Sequence, residues 1–299
     1  MPNNISLASK MTTELDKLFV QSAVTGFMTD NAMRAKFVGA HTVLVPEMSL
    51  DGLGTYDRST GFAEGAVNVS NTAYTLSQDR GRSFMLDAQD EDESGVANLA
   101  GQVLGEFVRT KVVPEVDAYC MSKLFHLAME HGDGPHTVPL PEGKTIGNGV
   151  FELIRSLISK VRDAVGYDEP LVAFLDPTVH DALMATPEIT RVIRTDDFKK
   201  GEITTQVKYI DGVAIIPVPS SRMYQDIEIT DNGYTGSEGR IGALVMPKKA
   251  ASLVRKTEKL RTFTPDQNQK ADAYKFDYRL YYDLLVKKSQ ENGIYVYNY

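Results

Sequence analysis

The spacing of apolar residues along this chain changes period several times, and each change predicts an element. Leu15, Leu18, Phe19 and Val24 recur at roughly helical spacing and predict a short amphipathic helix within 6–28. The stretch "AKFVGAHTVLVPEM" (35–48) reads as a strand through Val43, Leu44 and Val45, with Pro46 expected to end it. Residues 49–68 hold four glycines and little apolar mass, so they predict a long loop or a hairpin tip. Extended character resumes over 69–86 with Val69, Tyr74 and Leu76. Two strands around such a tip make a long two-stranded arm. An isolated hairpin is marginal in water, so the arm needs a partner.

From residue 92 the period becomes helical. Val96, Leu99, Val103 and Phe107 form one stripe, capped by Asp92 or Ser94. Pro114 is expected to kink or end this helix, and Val116, Cys120, Leu124 and Leu127 continue a helical stripe beyond it. The proline- and glycine-bearing segment 131–145 marks a boundary. A helix follows over 148–166 with Phe151, Ile154, Leu157, Ile158 and Val161 inward. Then come a buried strand at 171–176 and a helix at 177–185 opened by Pro177. A hairpin over 206–219 turns at Asp211-Gly212. Strands at 241–247, 273–288 and the C-terminal "GIYVYNY" complete the chain. The order is extended arm, long helix, compact α/β unit, then strands.

Composition narrows the chemistry. The 299 residues are 42% hydrophobic and 24% charged, which is ordinary for a folded chain able to bury a large core. Cys120 is the single cysteine, which excludes an intramolecular disulfide and the usual cysteine-based zinc sites and fits assembly in a reducing cytoplasm. No signal-peptide core and no run of membrane-spanning length appears. The net charge of −8 is uneven: residues 247–288 carry eleven Lys/Arg against five acids, a surplus of six. Such asymmetry suits a nucleic-acid face or a docking surface between subunits.

The densest candidate site is acidic: Asp87, Asp90, Glu91, Asp92 and Glu93 crowd into seven positions. A metal-dependent hydrolase could use such carboxylates. Consecutive acids diverge in regular structure, however, and they fit the positive end of a helix dipole better than a metal. The five histidines have no metal-ligand spacing, and no nucleophile elbow, phosphate loop or dinucleotide fingerprint exists. The reading is therefore of no catalytic, cofactor or metal residue. Tyr274, Phe276, Tyr278, Tyr281 and Tyr282 lie among basic residues like a base-stacking platform, yet their alternation fits one packed face of a strand better.

The order of these pieces resembles the major capsid proteins of tailed bacteriophages, with their Hong Kong 97-type fold. "YTLSQDRGRSFMLDAQDEDES" (74–94) resembles the return of that family's extended loop into its spine helix, and "VRTKVVPEVDAYCMSKL" (108–124) the later part of the helix. "LVAFLDPTVHDALMATPEITR" (171–191) and "QVKYIDGVAIIPVPSSRMY" (206–224) resemble its axial domain. "RLYYDLLVKKSQENGIYVY" (279–297) resembles its closing peripheral strands.

The resemblance implies an α+β chain divided into an N-terminal arm (1–35), an extended β-hairpin loop and its base (36–88), a peripheral domain with the spine helix (89–146), an axial α/β domain (147–245) and closing peripheral strands (246–299). It implies a structural protein of the virion rather than an enzyme, self-assembling as pentamers and hexamers around double-stranded DNA with no membrane involved. Its partners would be a separate scaffolding protein, a portal and a decoration protein. An encapsulin-like nanocompartment is the alternative within that fold. Inter-subunit contacts are expected at Arg58, Glu64, Arg80, Arg82, Asp90, Glu91, Asp92, Lys248 and Lys249. Some members crosslink a loop lysine to a neighbour's asparagine. No lysine lies between Lys36 and Lys111 here, so no such crosslink through the loop is expected.

Overall fold

The computed structural model describes residues 3–29, 36–38, 42–59, 61–62, 64–87, 99–187, 193–200, 203–237, 239–268 and 270–299. It places a six-stranded mixed sheet at the centre, in the order β14-β11-β5-β8-β7-β6. The strands are β5 (Leu171–Leu175), β6 (Ile193–Lys200), β7 (Ile203–Ile210), β8 (Val213–Pro217), β11 (Ile241–Pro247) and β14 (Tyr295–Asn298). β5 and β8 pair in parallel, and the other pairs are antiparallel. β5 and β11 are buried throughout, as continuous apolar runs with both faces covered require. Alternate residues feed two cores. Val172, Phe174, Leu244 and Met246 face one, while Leu171, Ala173, Leu175, Ala243 and Val245 face the other.

The second face is covered by the helix Ile146–Val165, whose Leu153, Ile154, Leu157, Ile158 and Val161 are buried, and by Pro177–Ala185. Thr145 and Asn148 form a reciprocal capping box at the start of the longer helix. Asp176 caps the shorter one by accepting from the Thr178 N–H. The β7–β8 turn is Asp211-Gly212 with φ of 51° and 77°, the double positive φ of a tight hairpin turn.

The first face is covered by a helical run. Helix Leu99–Phe107 continues through a π turn, Val108–Val112, into Val113–Met129. Pro114 was expected to kink or end the helix at this point, and it does not end it. The turn before it widens, so the Val113 N–H bonds to the Val108 carbonyl, which absorbs the missing proline donor and the crowding of its ring. The N-terminal helix Asn3–Ser22 is longer than the period suggested and lies along the edge strand β12 (Ala251–Phe263). The Arg255 guanidinium, nearly buried, stands 3.9 Å over the Phe19 ring and 3.5 Å from Asp16. Burial pulls the Arg255 pKa down.

β12 pairs with the long strand β13 (Ala273–Val286), which pairs in turn with β4 (Gln78–Asp87). Phe276, Tyr278, Tyr281 and Tyr282 of β13 are buried, so the aromatic alternation is sheet packing. A separate sheet, β1-β2-β3, comprises Lys36–Val38, Thr42–Leu50 and Val67–Thr75. Three expectations are corrected here. Lys36–Val38 and Thr42–Leu50 are two antiparallel strands rather than one. β2 passes through Pro46, which stands opposite Asn71 of β3. The arm's second strand stops at Thr75, and 78–87 joins the β12–β13 sheet instead. The helix expected from residue 92 is described only from Leu99 on.

One buried carboxylate joins these layers. Asp117 is fully buried and accepts from the Val24 N–H at 2.9 Å, the Thr25 N–H at 3.0 Å and the Thr25 hydroxyl at 2.6 Å. Arg222 donates to it from a third segment at 2.6 Å. At the other end of the helix, His131 and His136 stack with ring centroids 4.1 Å apart, and His136 stacks on Tyr295 at 4.5 Å. His136 Nδ1 donates to the Ile294 carbonyl, and His131 Nε2 donates to Asn292. The stack therefore ties the 131–145 loop to the C-terminal strand.

Asp117→Ala strands the Arg222 charge and two backbone donors. It is expected to cost about 3 kcal/mol of unfolding free energy in urea at unchanged m-value, and a loss below about 1 kcal/mol would refute that role for Asp117. Burial, and then the neighbouring His131, hold the His136 pKa below its ordinary value, with the bond to the Ile294 carbonyl and then Asp133 opposing. The unfolded chain therefore takes the proton first. The stack's contribution is complete above about pH 6.5 and is lost as pH falls through the folded pKa. His136→Phe, which keeps the stack, should flatten the fall in Tm between about pH 7.5 and pH 5, and an unchanged fall would assign that dependence elsewhere.

Candidate functional site

The feature without an evident structural use is the β2–β3 hairpin. Its base is anchored: Val43 and Val45 are buried with Leu76, Val254, Tyr281 and Leu285, and Tyr74 packs beside them. Successive residues point to opposite faces, so Val43, Val45 and Tyr74 define the face that meets the body. Further out, β3 carries Asn68, Ser70 and Thr72 on that face. The opposite face carries Met48 directly across from Val69 and Leu50 across from Val67, each 64–66% exposed. The distal arm is thus apolar on the side turned away from its own core.

The tip is ordered by its own bonds. Asp51 closes it, exchanging bonds with Ala66 through the Asp51 N–H and carboxylate. Asp57 and Gly61 pair through their backbones, with Gly61 at φ 87°, a conformation that favours glycine. The Asp57 carboxylate accepts from both the amide and the hydroxyl of Ser59. This small turn sets Tyr56 against Phe62, ring centroids 5.0 Å apart, with Phe62 88% exposed and Leu53 fully so. Arg58 and Glu64 are exposed on the same tip, and among the described residues neither forms an ion pair.

Where the arm leaves the body, Ser77 is latched. Its N–H donates to Asp283 and its hydroxyl donates to Tyr119. Tyr119 and Lys123 donate in turn to the same nearly buried carboxylate. Burial raises the Tyr119 pKa and so keeps that phenol a donor.

Beyond the latch, Arg80 grips Glu115 through two bonds of 2.8 and 3.1 Å and donates to the Thr230 carbonyl at 2.7 Å. The bond to Glu115 raises the Arg80 pKa, and Tyr282, its pKa pushed up by burial, also donates to Glu115. Arg82 donates to the Asp231 carbonyl and to the Asn232 side chain. Both arginines therefore brace the turn between β9 (Ile227–Thr230) and β10 (Gly233–Gly236) of their own chain. Beneath this brace lies a cavity of about 510 Å³ between β4, the π turn and the β9–β10 turn. Its wall is an edge-to-face array in which Phe107 stands 4.8 Å from Phe84 and 5.7 Å from Tyr278.

Of the other expected contact residues, Lys248 and Lys249 sit on the turn between β11 and β12, half-buried and exposed respectively. Asp90, Glu91 and Asp92 lie outside the described residues. Part of the basic surplus of 247–288 is matched within the chain: Arg279 holds Asp79 in a two-bond pair, and Arg255 faces Asp16. Among the described residues no three His, Cys, Asp or Glu side chains converge as metal ligands, and no helix is long and apolar enough to cross a membrane. The apolar arm face escaped the sequence reading, although Met48/Leu50 and Val67/Val69 carry the i, i+2 signal of a strand face.

No protein family matches this chain, and no curated protein is similar to it in sequence. Solved structures are similar in three dimensions. The capsid of cyanophage P-SCSP1u is 12% identical, with a TM-score of 0.61 over 88% of this chain and 84% of that one. The mature capsid of bacteriophage PhiM1 is 10% identical, with a TM-score of 0.58 over 86% and 82%. The virus-like particle of Pyrococcus furiosus is 9% identical, with a TM-score of 0.54 over 97% and 98%. At these identities the likeness establishes the fold: this chain is built as the chains of tailed-phage capsids and related particles are built.

Exposure divides the hairpin energetically. Leu50→Ser with Val67→Ser should change the unfolding free energy of the isolated chain by no more than about 0.5 kcal/mol, whereas Val45→Ser at the buried base should cost about 2–3 kcal/mol. Equal costs in chemical denaturation would refute the two-faced reading of the arm.

Proposed function

We propose that this chain is a major capsid protein, many copies of which close as pentamers and hexamers into the icosahedral head of a tailed phage around double-stranded DNA. The observation that carries this reading is the hairpin. A chain with a capsid fold presents a long arm whose distal face is apolar and turned away from its own core, as an arm lying on a neighbour would be. In this reading Asn3–Ser22 is the N-terminal arm and β2–β3 the extended loop. Leu99–Met129 belongs to the spine helix, the β12-β13-β4 sheet is the peripheral domain, and the six-stranded sheet with its two helices is the axial domain, which includes the C-terminal strand β14 that the sequence had assigned to the closing peripheral strands. The role is structural, in the virion after assembly in the host cytoplasm. A separate scaffolding protein, a portal and a decoration protein complete the head.

Arg58, Glu64, Lys249 and the acids Asp90, Glu91 and Asp92 are the charges proposed to cross subunit boundaries, where complementary charge fixes register more than it adds affinity. Arg80 is taken up by its own chain, so its role at a boundary would run through the β9–β10 turn it braces. A protein-filled nanocompartment is the second reading, favoured by the near-complete mutual coverage with the Pyrococcus furiosus particle.

Expressed chain should elute as capsomers or megadalton particles and appear as closed shells in electron micrographs. Boiling in detergent should return monomers, since the loop has no lysine. Copurifying duplex DNA supports the head, and a copurifying enzyme supports the compartment. Asp90→Lys with Asp92→Lys should leave a folded subunit that makes no shells. A wild-type chain that stays monomeric at every concentration would refute the proposal.

A further inference from the structure

We infer that the aromatic knob at the arm's tip, Tyr56 and Phe62, seats in the cavity beneath the arginine brace of a second copy of this chain. This rests on the shell reading and adds to it a residue-level lock. Three features of the chain meet in it. The knob is prebuilt: the Asp57–Gly61 turn and the Ser59 bonds hold the two rings together while both stay exposed, so little ordering remains to oppose binding. Exposed, preorganised aromatic residues are the usual anchors of interfaces.

The cavity suits the knob in size and chemistry. Its volume of about 510 Å³ lies within the range of sites that take ligand-sized groups, about 300–1,000 Å³. Its Phe84 and Phe107 are only half-buried, which leaves ring edges and faces for two further rings to extend the edge-to-face array.

Charge favours the same pairing. At the cavity, Arg80 neutralises Glu115 and Arg279 neutralises Asp79, leaving Arg82 and exposed Lys111 against Asp231. The tip, residues 51–66, carries Asp51, Asp57 and Glu64 against Arg58. A tip with an acidic surplus therefore approaches a mouth with a basic one. The base of the arm is fixed on its own chain by Val43, Val45 and the Ser77 latch, and no described tip residue lines the cavity of that chain.

The test uses the intact chain, whose one native thiol, Cys120, is buried and unreactive. Phe62→Cys with Lys111→Cys, assembled and treated with a short bis-maleimide, should shift the monomer band to dimers and longer ladders, while either single variant stays monomeric. In parallel, wild-type subunits and particles are compared by hydrogen exchange, with protection expected at both 52–64 and 107–116 on assembly. Phe62→Ser should raise the concentration needed for assembly by roughly tenfold or more, the scale of a hot-spot anchor. Particles that form without the crosslink, or with protection of only one of the two segments, overturn this inference and leave the shell reading standing. Absence of any particle from wild type overturns the shell reading itself.

Discussion

The structure turns on a carboxylate with no access to water. Asp117 sits on Val113–Met129, the helix packed against the central sheet, where an unpaired charge would cost several kcal/mol. It is tolerable because three segments far apart in sequence converge on it: the end of the N-terminal helix, the 3-10 turn at Ser220–Arg222 and the helix itself. The same helix repeats the device along its length. Glu115 holds Arg80, Tyr119 and Lys123 meet Asp283, and Ser122 donates to the Gln225 carbonyl. Apolar packing places the helix, and these polar side chains fix its rotation and depth, because each has a partner in only one arrangement.

The body is thereby made rigid where the arm is rooted. The Ser77 latch lies between the hairpin and the strand that carries the arginine brace, so the arm's direction is set by the same sheet that builds the cavity. Some of the charges that looked like a docking surplus in one dimension are matched inside the chain, Arg255 by Asp16 and Arg279 by Asp79. Others, Lys249, Arg261, Lys270, Lys287 and Lys288 among them, are exposed, as are Arg58 and Glu64 on the tip.

Legibility in the sequence followed the strength of the local signal. Asp211-Gly212 announced its turn, Pro177 its helix start and the 148–166 stripe its buried face, because a single physical cause decides each of them. Pro46 misled, because β2 runs on through it to Leu50. Pro114 does not end its helix, because the π turn before it takes up the missing donor and the crowding of its ring. The split at Thr75–Gln78 was invisible because 69–86 is extended throughout, and which strand pairs with which is decided by β13, some two hundred residues away. Asp117 could not be found from its neighbours: an acid beside Val116 on a helix reads as solvated until the fold encloses it. Likewise, the arm's distal face was hidden by glycines that diluted its apolar content.

The alternation of the hairpin has a consequence for the subunit before it meets others. Because the distal apolar face is on the far side from the buried base, bending the arm down onto its own body would bring the polar face inward. Among the described residues that apolar face therefore stays exposed in the single chain. On the proposed function a second copy covers it, and the timing of assembly would then reside in supply rather than in a switch, with copies closing into particles or aggregating once a threshold concentration is passed.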